Sequence, residues 1–140
     1  MSKSKLHIAI PSRTERLIDV RTFIANAAMV YGFGEEDVNN ITLAVDEACT
    51  NVIKHAYNFD ANKNIDVDVV LNGNKFEIVI SDNGKFFDPD AVPTPNMKEY
   101  IAQHRRGGLG MYLMKRVMDS VEFSFQANRN TLRMVKHLHS

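Results

Sequence analysis

One cysteine in 140 residues rules out an internal disulfide. Cys49 falls among apolar residues, which suits a buried, inert thiol in a reducing compartment. Net charge is missing too: 17 basic residues offset 17 acidic ones. General nucleic-acid binding needs a basic surface and is therefore not expected, although a local basic patch stays open. No apolar run approaches the ~20 residues of a membrane span. The opening "MSKSKLHIAIPS" has no apolar core of the signal-peptide kind, so the expected location is the cytoplasm, away from any membrane. Internal repeats and low-complexity tracts are absent as well. What remains is an ordinary globular composition, 44% hydrophobic and 24% charged. The length predicts one domain, residues 1–140, able to bury a core.

Periodicity divides the chain into elements. "LHIAI" alternates Leu6, Ile8 and Ile10 as a short strand stopped by Pro11. Helical spacing from Thr14 to Tyr31 sends Leu17, Val20, Ile24, Ala27 and Ala28 inward, and Gly32 to Gly34 end it. A second helix is expected from Glu35 to Tyr57. The period then switches to two. Ile65, Val67, Val69 and Leu71 alternate, as do Phe76, Ile78 and Ile80, with Asn72-Gly73 between them as a hairpin signal. Phe87 to Arg106 holds three prolines and a helical patch near Met97 to Gln103. A connection of roughly 20 residues is usually a functional lid or a disordered loop. A short helix from Gly110 to Met118 follows, then strands "VEFSFQA" and "TLRMVKHL" around a turn at Asn128 to Asn130. Two long helices, a shorter one and about five strands with antiparallel hairpins predict an α+β fold. Its sheet would be antiparallel or mixed, with helices layered on one face.

Three segments carry candidate chemistry. In "DEACTNVIKHAY" a spacing of four lines up Glu47, Asn51 and His55 as one polar row on the second helix. Ile41, Val45, Ala48, Cys49, Val52 and Ala56 make an apolar stripe on another side. Alone, such a row also suits a solvated face. In "ISDNGKFFDP", Asp82 ends a strand and Gly84 follows. A carboxylate there can accept from an amino group, and a glycine lets a flat ring approach the backbone; a plain Asp-Asn-Gly turn reads the same way. In "RRGGLGMYLMKRVMD", Gly107, Gly108 and Gly110 lead into a helix N-terminus, where free N–H groups and the macrodipole favour phosphate. Glycines also simply permit tight turns. The segment is neither the dinucleotide fingerprint nor the P-loop.

Taken in order, the three motifs resemble the GHKL superfamily of ATP-binding domains, named for gyrase, heat-shock chaperones, histidine kinases and mismatch-repair proteins. The resemblance covers nearly the whole chain and is nearest to the small bacterial anti-sigma factor serine kinases. It implies a two-layer α/β sandwich of the histidine kinase/gyrase ATPase type, with ATP and Mg²⁺ as cofactors. Asn51 would coordinate Mg²⁺, and Glu47 would take the proton of an attacking serine hydroxyl. Asp82 would bind the adenine amine, with Gly84 leaving room for the ring. Gly107, Gly108, Leu109 and Gly110 would face the phosphates, and Arg106 beside them would grip a γ-phosphate or a partner's acidic surface, or stand exposed on the lid. His55 fits the family pattern as a packing histidine, and Asp46 beside the row is expected to be solvated. Phe86 stands where many members have a second glycine, implying a stiffer hinge. The implied partners are a sigma factor and an anti-anti-sigma protein of the STAS type, the kinase acting as a homodimer. A module that binds ATP without transferring phosphate is the other reading; Glu47 favours the enzyme.

Overall fold

The computed structural model describes residues 3–89 and 110–139. Its strands are β1 (Lys3–Pro11), β2 (Asn64–Asn72), β3 (Lys75–Asp82), β4 (Ser120–Gln126) and β5 (Arg129–His137). Its helices are α1 (Leu17–Tyr31), α2 (Glu35–Asn51) and α3 (Gly110–Val117). The strands form one sheet in the order β1-β2-β3-β5-β4, and every neighbouring pair is antiparallel. The sheet is thus antiparallel throughout, the simpler of the two expected arrangements.

Period-two patterning explains why the helices cover one face. In register, Ile8, Val67, Ile80, Leu132 and Phe123 form a single row across all five strands. Val67, Ile80 and Leu132 at its centre are buried. The opposite face is charged, with Arg133 on Glu77 at 2.7 Å and His7 on Asp68 at 2.7 Å. Burying one face and wetting the other is how antiparallel sheets are normally used. Helix α1 buries Leu17, Val20, Ile24, Ala27 and Ala28, the positions its spacing sends inward. Ile41, Val45, Ala48 and Cys49 do the same on α2, and Met114 on α3 and Met118 just after it join the core.

Some boundaries differ from the periodicity. Thr14–Arg16 is a 3₁₀ turn leading into α1. The α2 helix ends at Asn51 and continues as a π turn over Val52–Ala56, where the Tyr57 N–H reaches the Val52 carbonyl five residues back at 3.0 Å. A wider turn of this kind is rare and clusters at functional sites. The β2–β3 hairpin pairs Asn72 with Lys75, so its turn is Gly73-Asn74, with Gly73 at φ 63°. In the last hairpin Gln126 pairs with Arg129, and Ala127 and Asn128 take positive φ. Asn130 therefore belongs to β5, not to the turn expected there. On the edge strand β1, Leu6 is 40% exposed and lines a groove with Phe23, Ala27 and Val30 of α1.

Candidate functional site

Along β3 the inward row reads Phe76, Ile78, Ile80 and then Asp82; along β5 it reads Met134, Leu132 and then Asn130. The rows are in register, so Asp82 stands opposite Asn130. An apolar ladder thus ends in a polar pair, and both residues are 2% exposed. Asn130 Nδ2 donates to Asp82 Oδ1 at 2.9 Å and to the Lys85 carbonyl at 2.9 Å. The Gly84 N–H donates to the same Asp82 oxygen at 2.8 Å. Among the described residues both bonds fall on Oδ1, which leaves Oδ2 for a donor from elsewhere. Burial raises the Asp82 carboxyl above its ordinary value, against the opposing pull of Asn130, the Gly84 amide and Arg129. Asn130 Oδ1 is a second acceptor, buried and with no hydrogen-bond partner among the described residues.

This pair lines a cleft whose other walls include Asn51 from α2, Phe87, Met111 from α3 and Phe123 from β4. The cleft is therefore built where two helices meet the polar end of the sheet. Its free volume is about 10 Å³, room for about one water. Glu47 lies one turn before Asn51 on α2 and is also buried, its side chain engaged with neighbours. The structure thus brings Asn51 and Asp82 into one cleft and sets Glu47 next along the helix.

The remaining sequence candidates divide. Gly110 opens α3. Arg106, Gly107, Gly108 and Leu109 lie outside the described residues, as does the expected lid beyond Pro89. Gly84 has a packing reason of its own: a Cβ there would come within 2.6 Å of the Ala56 carbonyl oxygen. Phe86 packs on Phe125 and Phe123, with ring centroids 5.3 and 6.2 Å away, which ties the residue after Lys85 to β4. His55 is partly buried with its ring 5.9 Å from Phe87. Burial first, then Lys54 and Lys85, hold its pKa below the ordinary histidine value, so it packs as a neutral ring. Asp46 is not solvated as expected. It is half-buried 3.1 Å from Arg21 Nε, and burial raises its pKa despite that partner. Cys49 is pushed up to about 12 by burial and by Asp46, which makes it inert.

Sequence reasoning passed over Asn130, Arg129 and Tyr57. Asn130 shares the alternation of Leu132 and Met134, and that signal could have placed it inward. Arg129 bridges Asn83 Oδ1 at 2.9 Å and Asp66 Oδ2 at 2.8 Å, a contact across strands that no local pattern announces.

Gly84→Ala tests the packing at this corner. The methyl would meet backbone atoms of Ala56, so the turn must lift off the helix and strain the Lys85 N–H bond to the Ala56 carbonyl, 3.0 Å long. We expect a loss of about 1–3 kcal/mol, the usual cost of overpacking. Chemical denaturation with no change in midpoint would contradict this reading.

Comparison with known proteins gives three kinds of match. Residues 10–136 match the family model described as a histidine kinase-like ATPase domain. A serine-protein kinase RsbW from Bacillus velezensis is 32% identical, with 95% of this chain and 85% of that protein covered. Another from Bacillus cereus is 30% identical, covering 96% and 85%. Among solved structures, the RsbU and RsbW domains of a Mycobacterium tuberculosis protein superpose with a TM-score of 0.70 at 18% identity. That match spans 96% of this chain and 32% of the longer mycobacterial chain. The SiaB–SiaC complex from Pseudomonas aeruginosa gives a TM-score of 0.64 at 15% identity, covering 93% and 88%. At these identities the two structures speak for the fold alone.

Proposed function

Since the chain belongs to the histidine kinase-like ATPase domain family, we propose that it is an ATP- and Mg²⁺-dependent serine protein kinase. It would also act as an anti-sigma factor, phosphorylating a serine of an anti-anti-sigma protein of the STAS type. The observation that carries this reading is the cleft itself, with a buried carboxylate, Asp82, on the sheet and a buried amide, Asn51, on the helix. The kinase names of relatives covering nearly the whole chain support it.

The donor set suits the ligand. Asp82 Oδ2 accepts from the adenine amine, and Asn130 Oδ1 takes a second donor, from the base or from a water. Asn51 offers a side-chain oxygen, the hard ligand that Mg²⁺ accepts alongside waters and phosphates. When bound, Mg²⁺ neutralises charge on the transferring phosphate. Gly107, Gly108, Leu109 and Gly110 would offer backbone N–H groups to the phosphates, and Arg106 would offer a cation.

The reaction has a simple balance. The serine Oγ forms a bond to the γ-phosphorus as the bond to the β,γ-bridging oxygen breaks, leaving ADP. Glu47 receives the hydroxyl proton and holds the nucleophile in line, positioning and charge being most of what such a carboxylate contributes. The partner-switching reading adds a sigma factor held by the unengaged kinase, a homodimer, and a cytoplasmic setting. No described helix is long and apolar enough to cross a membrane. The second reading, an ATP-binding module that sequesters a partner without transfer, has less use for a buried Glu47.

Asn51→Ala tests the metal ligand. ATP affinity of the wild type should rise when Mg²⁺ is added, and the variant should lose most of that rise while keeping its metal-free affinity. Calorimetry showing equal metal dependence in the two proteins would remove Asn51 from the site.

A further inference from the structure

Tyr57 closes the first motif, and the mechanism above gives it no part. It is buried, and its hydroxyl joins two segments that are distant in sequence. The Tyr57 O–H donates to the Asn64 carbonyl at the start of β2, at 2.6 Å. The same oxygen accepts the Asn83 N–H at 2.9 Å. Asn83 is the residue after Asp82, so the phenol grips the first peptide of the turn that carries the base-reading carboxylate.

The end of the helix adds a second hold. The Tyr57 N–H closes the π turn on Val52, and the Ala56 carbonyl, in that last turn, accepts the Lys85 N–H at 3.0 Å. Gly84 lies hard against that same carbonyl. Asn83, Gly84 and Lys85 are thus all moulded on the Ala56–Tyr57 end of the helix. Asp82 Oδ1 is then fixed by the Gly84 amide and by Asn130. One orientation of the carboxylate follows, with Oδ1 taken up by described donors and Asp82 lining the cleft.

We propose that Tyr57 is a positioning residue for base recognition. Its hydroxyl holds the Asp82 turn so that the carboxylate selects nucleotides carrying an exocyclic amine. The proposal rests on the reading of Asp82 as the adenine acceptor. A hydrogen bond aimed by a fixed frame discriminates only while the frame holds, and small misplacements of a recognition group are costly. Removing the hydroxyl while keeping the ring leaves the apolar packing in place and frees the Asn83 peptide.

The test compares ATP with purine riboside 5′-triphosphate, which lacks only the exocyclic amine, in wild type and Tyr57→Phe. Wild type should prefer ATP by about tenfold or more, as a hydrogen bond to a charged group implies. Tyr57→Phe should shrink that preference to about twofold, chiefly through weaker ATP binding, with circular dichroism unchanged. Equal weakening of both nucleotides marks a merely structural tyrosine and overturns the proposal, as does a preference that survives intact. A wild type that shows no preference refutes the Asp82 reading itself, and the Tyr57 role goes with it. A second measurement needs no variant. The Asn83 amide should exchange slowly with solvent in the nucleotide-free wild type, and exchange there at the unprotected rate overturns the proposal.

Discussion

Glu47→Ala should leave ATP affinity within a few-fold of wild type and cut phosphoryl transfer to a partner serine by about 10²–10⁴, the usual worth of a positioned base. The expectation follows from where the residue sits. Glu47 is one helical turn from Asn51 and buried, whereas the cleft that would take the base is walled by Asn51, Asp82 and Asn130. Binding and transfer then depend on different side chains. An effect confined to transfer means that the lost interaction existed mainly in the transition state. Alanine keeps the helix, so the variant should fold. Single-turnover transfer at saturating ATP, with binding measured in parallel, checks the split. Transfer at the wild-type rate would leave the kinase standing and show that Glu47 is not its base.

Asp82→Asn should do two opposite things. ATP binding should weaken roughly ten- to hundredfold, since a hydrogen bond to a charged acceptor is worth about 1.5–3 kcal/mol. Asn130 Nδ2 and the Gly84 N–H would claim the amide oxygen, turning the new NH₂ toward a ligand amine that needs an acceptor. The fold, by contrast, should gain stability at neutral pH. Burial raises the Asp82 pKa above its reference of 3.8. A raised carboxyl favours the fold while protonated, below the unfolded value, and that contribution is lost as pH rises through the folded value. At pH 7 the buried charge therefore works against folding, and the neutral amide does not. The melting temperature of the variant should exceed that of wild type at neutral pH, and the gain should close as pH falls toward 3.8. Calorimetric titration and thermal melts across pH read the two effects separately. A variant that melts lower at neutral pH would show that the carboxylate is held for stability rather than for binding.

Local pattern predicted the layers well because each rests on a period that survives folding. The spacing of Leu17, Val20, Ile24, Ala27 and Ala28 marks the buried side of α1, and the alternation from Phe76 to Ile80 marks the buried side of β3. Asp82 could be placed at a strand end for the same reason. What stayed hidden depends on how separate segments meet. The π turn after Asn51 carries no recognised sequence mark, so the helix was expected to run unbroken to Tyr57. Gly84 was read for a ligand ring, while the nearest thing a side chain would strike is the Ala56 carbonyl. Asn130 looked like turn because asparagines cluster there. The hairpin instead turns one step earlier at Ala127-Asn128 and leaves Asn130 inside β5, facing Asp82. Asp46 was taken for a solvated acid because its partner, Arg21, lies 25 residues away on another helix.

Transfer of phosphate separates a kinase from a binding module, and the most direct measurement follows the γ-phosphate itself. Wild-type protein is mixed with Mg²⁺, ATP labelled at the γ-phosphate and a cognate anti-anti-sigma protein, and the label is traced to its residue. The predicted result is label on a serine of the partner, lost when Mg²⁺ is chelated. Tight ATP binding with no label on any cognate partner would contradict it and leave a nucleotide-binding module in place of a kinase.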